Sequence, residues 1–202
     1  MATRVFLARH GLAEYETELV TDEGGSLTSE GRGQARALGR RLASEGVDAV
    51  WCSPLSRAVQ TAELAAGVLG VDVTVREGLR EYGVGSLAGT DGSEREVIGP
   101  VFDGWVGGDD DATIPGGEMV AGIVARVVRV LTEVADRHEG GAALVVSHGG
   151  AVMATVPELV GRPRATAWDL QLGGGGYVEL VREGGTWSVA GFHPDLDAVD
   201  PT

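Results

Sequence analysis

Cysteine is almost missing from these 202 residues: Cys52 stands alone, which excludes an internal disulfide framework. Lysine is absent, so all sixteen basic residues are arginine. Positive charge is scarce overall, and thirty acidic residues leave a formal net charge of −14. A surface of that sign repels nucleic acid and anionic lipid, so neither is expected as a partner. It also repels phosphorylated molecules at long range, so any phosphate chemistry requires a concentrated local basic pocket. No apolar run is long enough to cross a bilayer: the longest, Ala142 to Val156, is interrupted by Ser147, His148 and two glycines. No basic segment followed by an apolar leader opens the chain. These features together predict a cytoplasmic setting. No set of cysteines, histidines and carboxylates has metal-ligand spacing, so no metal or other cofactor is expected.

What is present is a globular composition, 43% hydrophobic, at a length that suits one domain over 1–202. Apolar runs at Arg4–Ala8, Val47–Cys52, Val71–Val75 and Ala142–Val146 read as buried strands. Between them lie helical patterns: one capped by Thr28 or Ser29, one from Pro54 through Ala66, one over Glu118–His138 and one over Ala151–Val160. Tyr177–Val181 and Thr186–Phe192 read as a closing hairpin, and the acidic tail 194–202 is expected to fray. Gly83–Gly117 is rich in Gly and Asp and reads as an inserted lid or specificity segment, with one short helix near Ser93–Trp105. Alternating strands and helices predict an α/β fold, a three-layer sandwich with a mainly parallel central sheet and helices on both faces.

Sites in such sheets lie beyond the carboxyl ends of the strands. Three polar clusters fall there: Arg9-His10-Gly11, Ser53 to Arg57, and Ser147-His148-Gly149-Gly150. Glu81 follows the third strand. Two arginines and two histidines without a carboxylate ligand set suit a phosphoryl dianion better than a divalent cation. Ser53 reads as a helix cap before Pro54, and Gln60 and Thr61 as braces.

Six blocks carry a family resemblance. They are Leu7-Ala8-Arg9-His10-Gly11; Leu27-Thr28-Ser29-Glu30-Gly31 with Gln34-Ala35; Ser53-Pro54-Leu55-Ser56-Arg57-Ala58-Val59-Gln60-Thr61-Ala62; Leu79-Arg80-Glu81 with Gly85 and Gly89; Pro115-Gly116-Gly117-Glu118; and Ser147-His148-Gly149-Gly150. In this order they resemble the histidine phosphatase superfamily, the phosphoglycerate mutase-like family. The resemblance implies His10 as nucleophile, Glu81 as proton donor, and Arg9, Arg57 and His148 as grips on the phosphoryl oxygens. Gly11 and Gly149 would join the substrate site by leaving room for close approach. A neutral His10 needs its far ring nitrogen tied to a backbone carbonyl, whereas His148 is expected to serve protonated.

The resemblance implies a metal-independent phosphomonoester hydrolase acting through a phosphohistidine on a small phosphorylated metabolite. Two alternatives stand beside it: a phosphoglycerate mutase, and a non-catalytic binder of phosphorylated ligands. The mutase branch carries a Tyr three residues after the Glu and an Arg-Arg pair farther on. Here Val84 holds the Tyr position, and Arg95 is the only Arg in Gly83–Glu118. Many relatives place an Asn six residues after the His, where this chain has Glu16. With Glu14 and Glu18, that residue predicts negative charge near the site mouth. Arg95 and Trp105 are candidates to reach the site from the inserted segment.

Overall fold

The computed structural model describes residues 1–91 and 97–196. A six-stranded sheet runs in the order β5-β4-β6-β1-β7-β8, with β1 Thr3–Arg9, β4 Val47–Cys52, β5 Val73–Val75, β6 Ala142–Ser147, β7 Tyr177–Glu183 and β8 Thr186–His193. Four strands, β5, β4, β6 and β1, are mutually parallel, and the β7–β8 hairpin joins antiparallel beside β1. Short β2 (Ala13–Glu14) and β3 (Ser26–Leu27) pair separately.

Side chains alternate across each strand, and this alternation sets one core on each face of the sheet. Val5 and Leu7 of β1 pack on one face with Ile123, Leu131 and Val152, whereas Phe6 and Ala8 pack on the other with Leu38, Leu42 and Ala62. Helices α1 (Ser29–Leu42) and α2 (Ser56–Leu69) thus cover one face, and α4 (Val120–Arg137) and α5 (Gly149–Leu159) the other. The three-layer α/β sandwich expected from the alternation is the architecture observed. Thr28 caps α1, its hydroxyl accepting from the Gly31 N–H at 3.0 Å, an arrangement worth about 1 kcal/mol.

Several boundaries differ from those read in the sequence. Helix α2 begins two residues after Pro54 and runs through Gly67 to Leu69, ending at Gly70. A single interior glycine costs only about 1 kcal/mol, less than the packing of Ala58, Ala62, Ala65 and Ala66 supplies. Strand β5 is shorter than Val71–Val75. Helix α3 covers Ile98–Val106, and the expected helical residues 93–96 lie outside the described residues, Arg95 among them. Of the tail expected to fray, the Pro194 carbonyl accepts from the Gly173 N–H at 2.8 Å and Leu196 packs on the second core. Residues 197–202 lie outside the description. No helix among the described residues is long and apolar enough to cross a membrane.

Candidate active site

Parallel register brings the strand ends together. Arg9 pairs with Ser147 and Cys52 with Val146, and just beyond them the N–H groups of His10 and Ser53 donate to the carbonyls of Ser147 and Val146, each at 3.0 Å. His10, Arg57 and His148 therefore meet although up to 138 residues separate them in sequence. Arg9, His10, Gly11, Arg57, Glu81 and Gly149 line one cavity of 710 Å³.

His10 is buried, and its Nδ1–H donates to the Gly11 carbonyl at 2.7 Å. That bond leaves Nε2 with its lone pair free. The close turn depends on glycine: a Cβ on Gly11 would sit 2.5 Å from the Gly31 carbonyl of α1. The approach that Gly11 permits is thus to α1. Its N–H already donates to Thr61 Oγ1 at 3.0 Å, so a ligand would gain contact from this residue but not a free backbone donor. Thr61 in turn donates to the Arg57 carbonyl at 2.7 Å, the bracing role expected of it.

Burial, with smaller contributions from Arg57 and Arg9, depresses the His10 pKa from its ordinary 6.5 to about 3. The unfolded ring therefore takes up a proton first as pH falls. The stability contributed is fully present above 6.5 and is lost progressively toward pH 3. Lowering the pH from 7 to 5 is expected to cost about 2 kcal/mol through His10 alone. Urea unfolding at both pH values checks this: His10→Gln should lose that much less than the parent, and equal losses would contradict it.

His148 is fully buried, stands edge-on to His10 with ring centroids 5.2 Å apart, and does not line the cavity. Its Nε2 lies 2.8 Å from Ser53 Oγ, while Nδ1 has no partner among the described residues. Ser53 already accepts from the Leu55 N–H at 3.3 Å. The assignment that satisfies both groups has the Ser53 hydroxyl donating to Nε2, with the His148 proton on Nδ1. Burial, then the fields of His10 and three arginines, hold His148 well below its ordinary range. In the ligand-free protein the ring is thus held toward its neutral form, and no carboxylate among the described residues hydrogen-bonds to it. Ser53 is likewise more than a cap, because α2 starts at Ser56 with Leu55 in the cap position.

Arg9 donates to the Leu172 carbonyl at 2.6 Å. Arg57 is 3% exposed, donates to the Gly24 carbonyl at 3.0 Å and stacks on Tyr15. Glu81 occupies the N-terminus of α5: the N–H groups of Gly150 and Ala151 donate to its carboxylate at 3.0 and 2.8 Å. This placement is why the helix starts at Gly149, two residues earlier than its composition suggests. Burial raises the Glu81 pKa even though these N–H groups, that of Tyr82 and Arg57 oppose the shift. The segment is held from α4, where Arg126 donates to the carbonyls of Gly78 (3.0 Å), Arg80 (2.6 Å) and Glu81 (3.1 Å) and pairs with Glu118 at 2.9 Å. Arg126 reads in the sequence only as part of a polar helix face.

The other candidates take these places. Glu16 does not line the cavity; its carboxylate accepts from the Gly25 N–H at 3.2 Å, tying its own loop. Glu14 and Glu18 are also absent from the wall, whereas Asp22 and Glu30 are on it. Trp105 is buried in a separate core, and it is Phe102 of α3 that reaches the cavity.

The family model described as the histidine phosphatase superfamily (branch 1) matches residues 5–193. A probable phosphoglycerate mutase GpmB from Salmonella paratyphi B is 32% identical over 173 residues, covering 82% of this chain and 77% of that protein. Among solved structures, a mycobacterial glucosyl-3-phosphoglycerate phosphatase is 26% identical with a TM-score of 0.79, covering 96% of this chain and all of the other. YhfR of Bacillus stearothermophilus is 27% identical at the same TM-score, 0.79, covering 93% of this chain and 95% of its own.

Proposed function

Because the chain belongs to the histidine phosphatase superfamily, we propose that it hydrolyses small phosphomonoesters through a phosphohistidine on His10, without a metal. The observation that supports this most is the His10 ring, tied through Nδ1 to Gly11 and presenting an unprotonated Nε2 in a cavity shared with Arg9 and Arg57.

In this reading Arg9 and Arg57 neutralise the phosphoryl oxygens, which is most of what phosphoryl transfer requires of a protein. His148 reaches a third oxygen only when its buried Nδ1–H, unpartnered among the described residues, is opened to the cavity as the ester binds; a bound dianion then opposes the charge fields that add to burial in keeping this ring neutral. Nε2 of His10 attacks phosphorus in line, the P–O bond to the alcohol breaks, and the Glu81 proton passes to the departing alkoxide. Water then attacks the phosphohistidine, Glu81 takes its proton, the P–N bond breaks, and inorganic phosphate leaves. The segment 83–117 acts as a specificity element, since Val84, Ile98, Gly99 and Phe102 stand on the cavity wall.

Phosphohistidine is acid-labile and base-stable. Brief exposure to a ³²P-labelled ester is expected to leave label on the protein after a base quench and none after an acid quench, with EDTA present throughout. Label that survives acid, or loss of labelling in EDTA, would overturn the mechanism. The similarity to a probable phosphoglycerate mutase keeps a second reading in play, and a coupled assay separates the two. Phosphate release faster than isomerisation of phosphoglycerate is the result expected here.

A further inference from the structure

The site cavity is chemically two-sided. One part carries Arg9, His10, Arg57 and Glu81; much of the rest is aromatic or aliphatic, including Tyr15, Tyr82, Ile98, Phe102, Met153 and Trp168. Three of these rings make a series. Tyr82, next in sequence to Glu81, meets Phe102 edge-on at 5.5 Å, and Phe102 meets Trp168 at 6.3 Å. The series runs from beside the proposed proton donor to a tryptophan that is 39% exposed. Rings placed this way offer faces and edges to another ring.

Charge narrows the choice further. Arg9 and Arg57 are the only cations among the described residues on the wall, and a phosphoryl dianion needs both. The other acidic side chains there are Asp22 and Glu30, with Glu81 as the proposed proton donor. Neighbouring arginines are already committed: Arg80 pairs with Glu23, Arg126 with Glu118, and Arg164 with Glu158 and Asp110. A second anionic group on the substrate would find carboxylates and no described cation. The volume, 710 Å³, leaves ample room for a ring beyond the phosphoryl group.

Resting on the phosphatase reading, we infer that the substrate is a phosphomonoester of an uncharged alcohol bearing an aromatic or heteroaromatic ring, with no second anionic group, its ring lying against Tyr82, Phe102 and Trp168.

Phosphate release from 2-phenylethyl phosphate, methyl phosphate, phosphoserine and 3-phosphoglycerate tests this with the parent protein and with Trp168→Ala. The parent is expected to favour 2-phenylethyl phosphate over 3-phosphoglycerate by at least about 100-fold in kcat/KM. Trp168→Ala is expected to shrink the ratio of 2-phenylethyl to methyl phosphate by about tenfold. Equal or better turnover of 3-phosphoglycerate or phosphoserine overturns the substrate class and leaves the phosphatase intact. A ratio that Trp168→Ala does not change removes that ring from the ligand. No release from any of the four esters takes both readings down.

Discussion

Replacing His10 with alanine is expected to lower turnover by about 10⁴-fold or more, on the scale seen when an enzyme loses its nucleophile. A 10⁴-fold loss corresponds to about 5.5 kcal/mol of barrier, too much for a residue that only lines the wall. The fold should survive. Among the described residues, the side chain of His10 makes one hydrogen bond, to the Gly11 carbonyl. The parent also keeps a buried neutral imidazole whose acid sensitivity the substitution removes. Phosphate release measured beside the urea midpoint separates the two effects. Turnover retained within tenfold of the parent, with the midpoint unchanged, would take His10 out of the mechanism.

The second large effect concerns Glu81. Glu81→Gln is expected to cost about 10²–10⁴-fold for esters of ordinary alcohols, the usual scale for general acid–base catalysis. An ester of 4-nitrophenol should lose far less, because its leaving group departs without a proton. The substitution is nearly isosteric: a glutamine oxygen at the Oε1 position can still accept from Ala151 and Tyr82, while its amide is set against the Gly150 N–H. A purely structural role for Glu81 predicts the same loss for both esters, and that result would exclude proton donation.

The pH dependence carries a definite sign. A carboxyl group with a raised pKa keeps its proton where an ordinary glutamate has lost it. Where leaving-group departure limits the rate, kcat/KM for alkyl esters should hold on the acidic side and fall as pH rises through the Glu81 pKa. His10 does not set the acid limb above pH 4, since its ring stays neutral down to about 3. A rate climbing steadily into the alkaline range would oppose Glu81 as the acid. In Glu81→Gln the fall should vanish along with most of the rate.

Much of the framework was legible because it depends on short-range order. The limits of β4 matched the reading to the residue, and those of β1 and β6 to within one. Alternating burial and turn residues are local properties, and a strand end announces where polar side chains will cluster. Thr28 declares itself as a cap through a hydrogen bond to a residue three positions away. The family resemblance rests on the same kind of information, residue types in a fixed order.

What stayed hidden involved partners far apart in the chain. Ser53 looked like a cap because its neighbour is proline; its hydroxyl instead meets a ring 95 residues away. Arg126 looked like solvent-facing helix, yet it holds the backbone around Glu81 across 45 residues. Gly149 and Gly150 looked like loop because glycine is a poor helix former, until a carboxylate from another segment met the α5 amides. Glu16 reads as charge near the mouth; the structure adds that its carboxylate ties its own loop by accepting from the Gly25 N–H.

By itself, then, the order of residues determined the layered α/β architecture, the strand ends where chemistry gathers, and the histidines and arginines delivered there. Tertiary structure alone decided the protonation of those groups, because the pKa of a ring or carboxylate follows from its burial and from the dipoles around it. It also decided which aromatic side chains face the cavity and how few cations among the described residues share that wall. Periodicity is a property of neighbouring residues, whereas solvation and field are summed over everything the folded chain brings near.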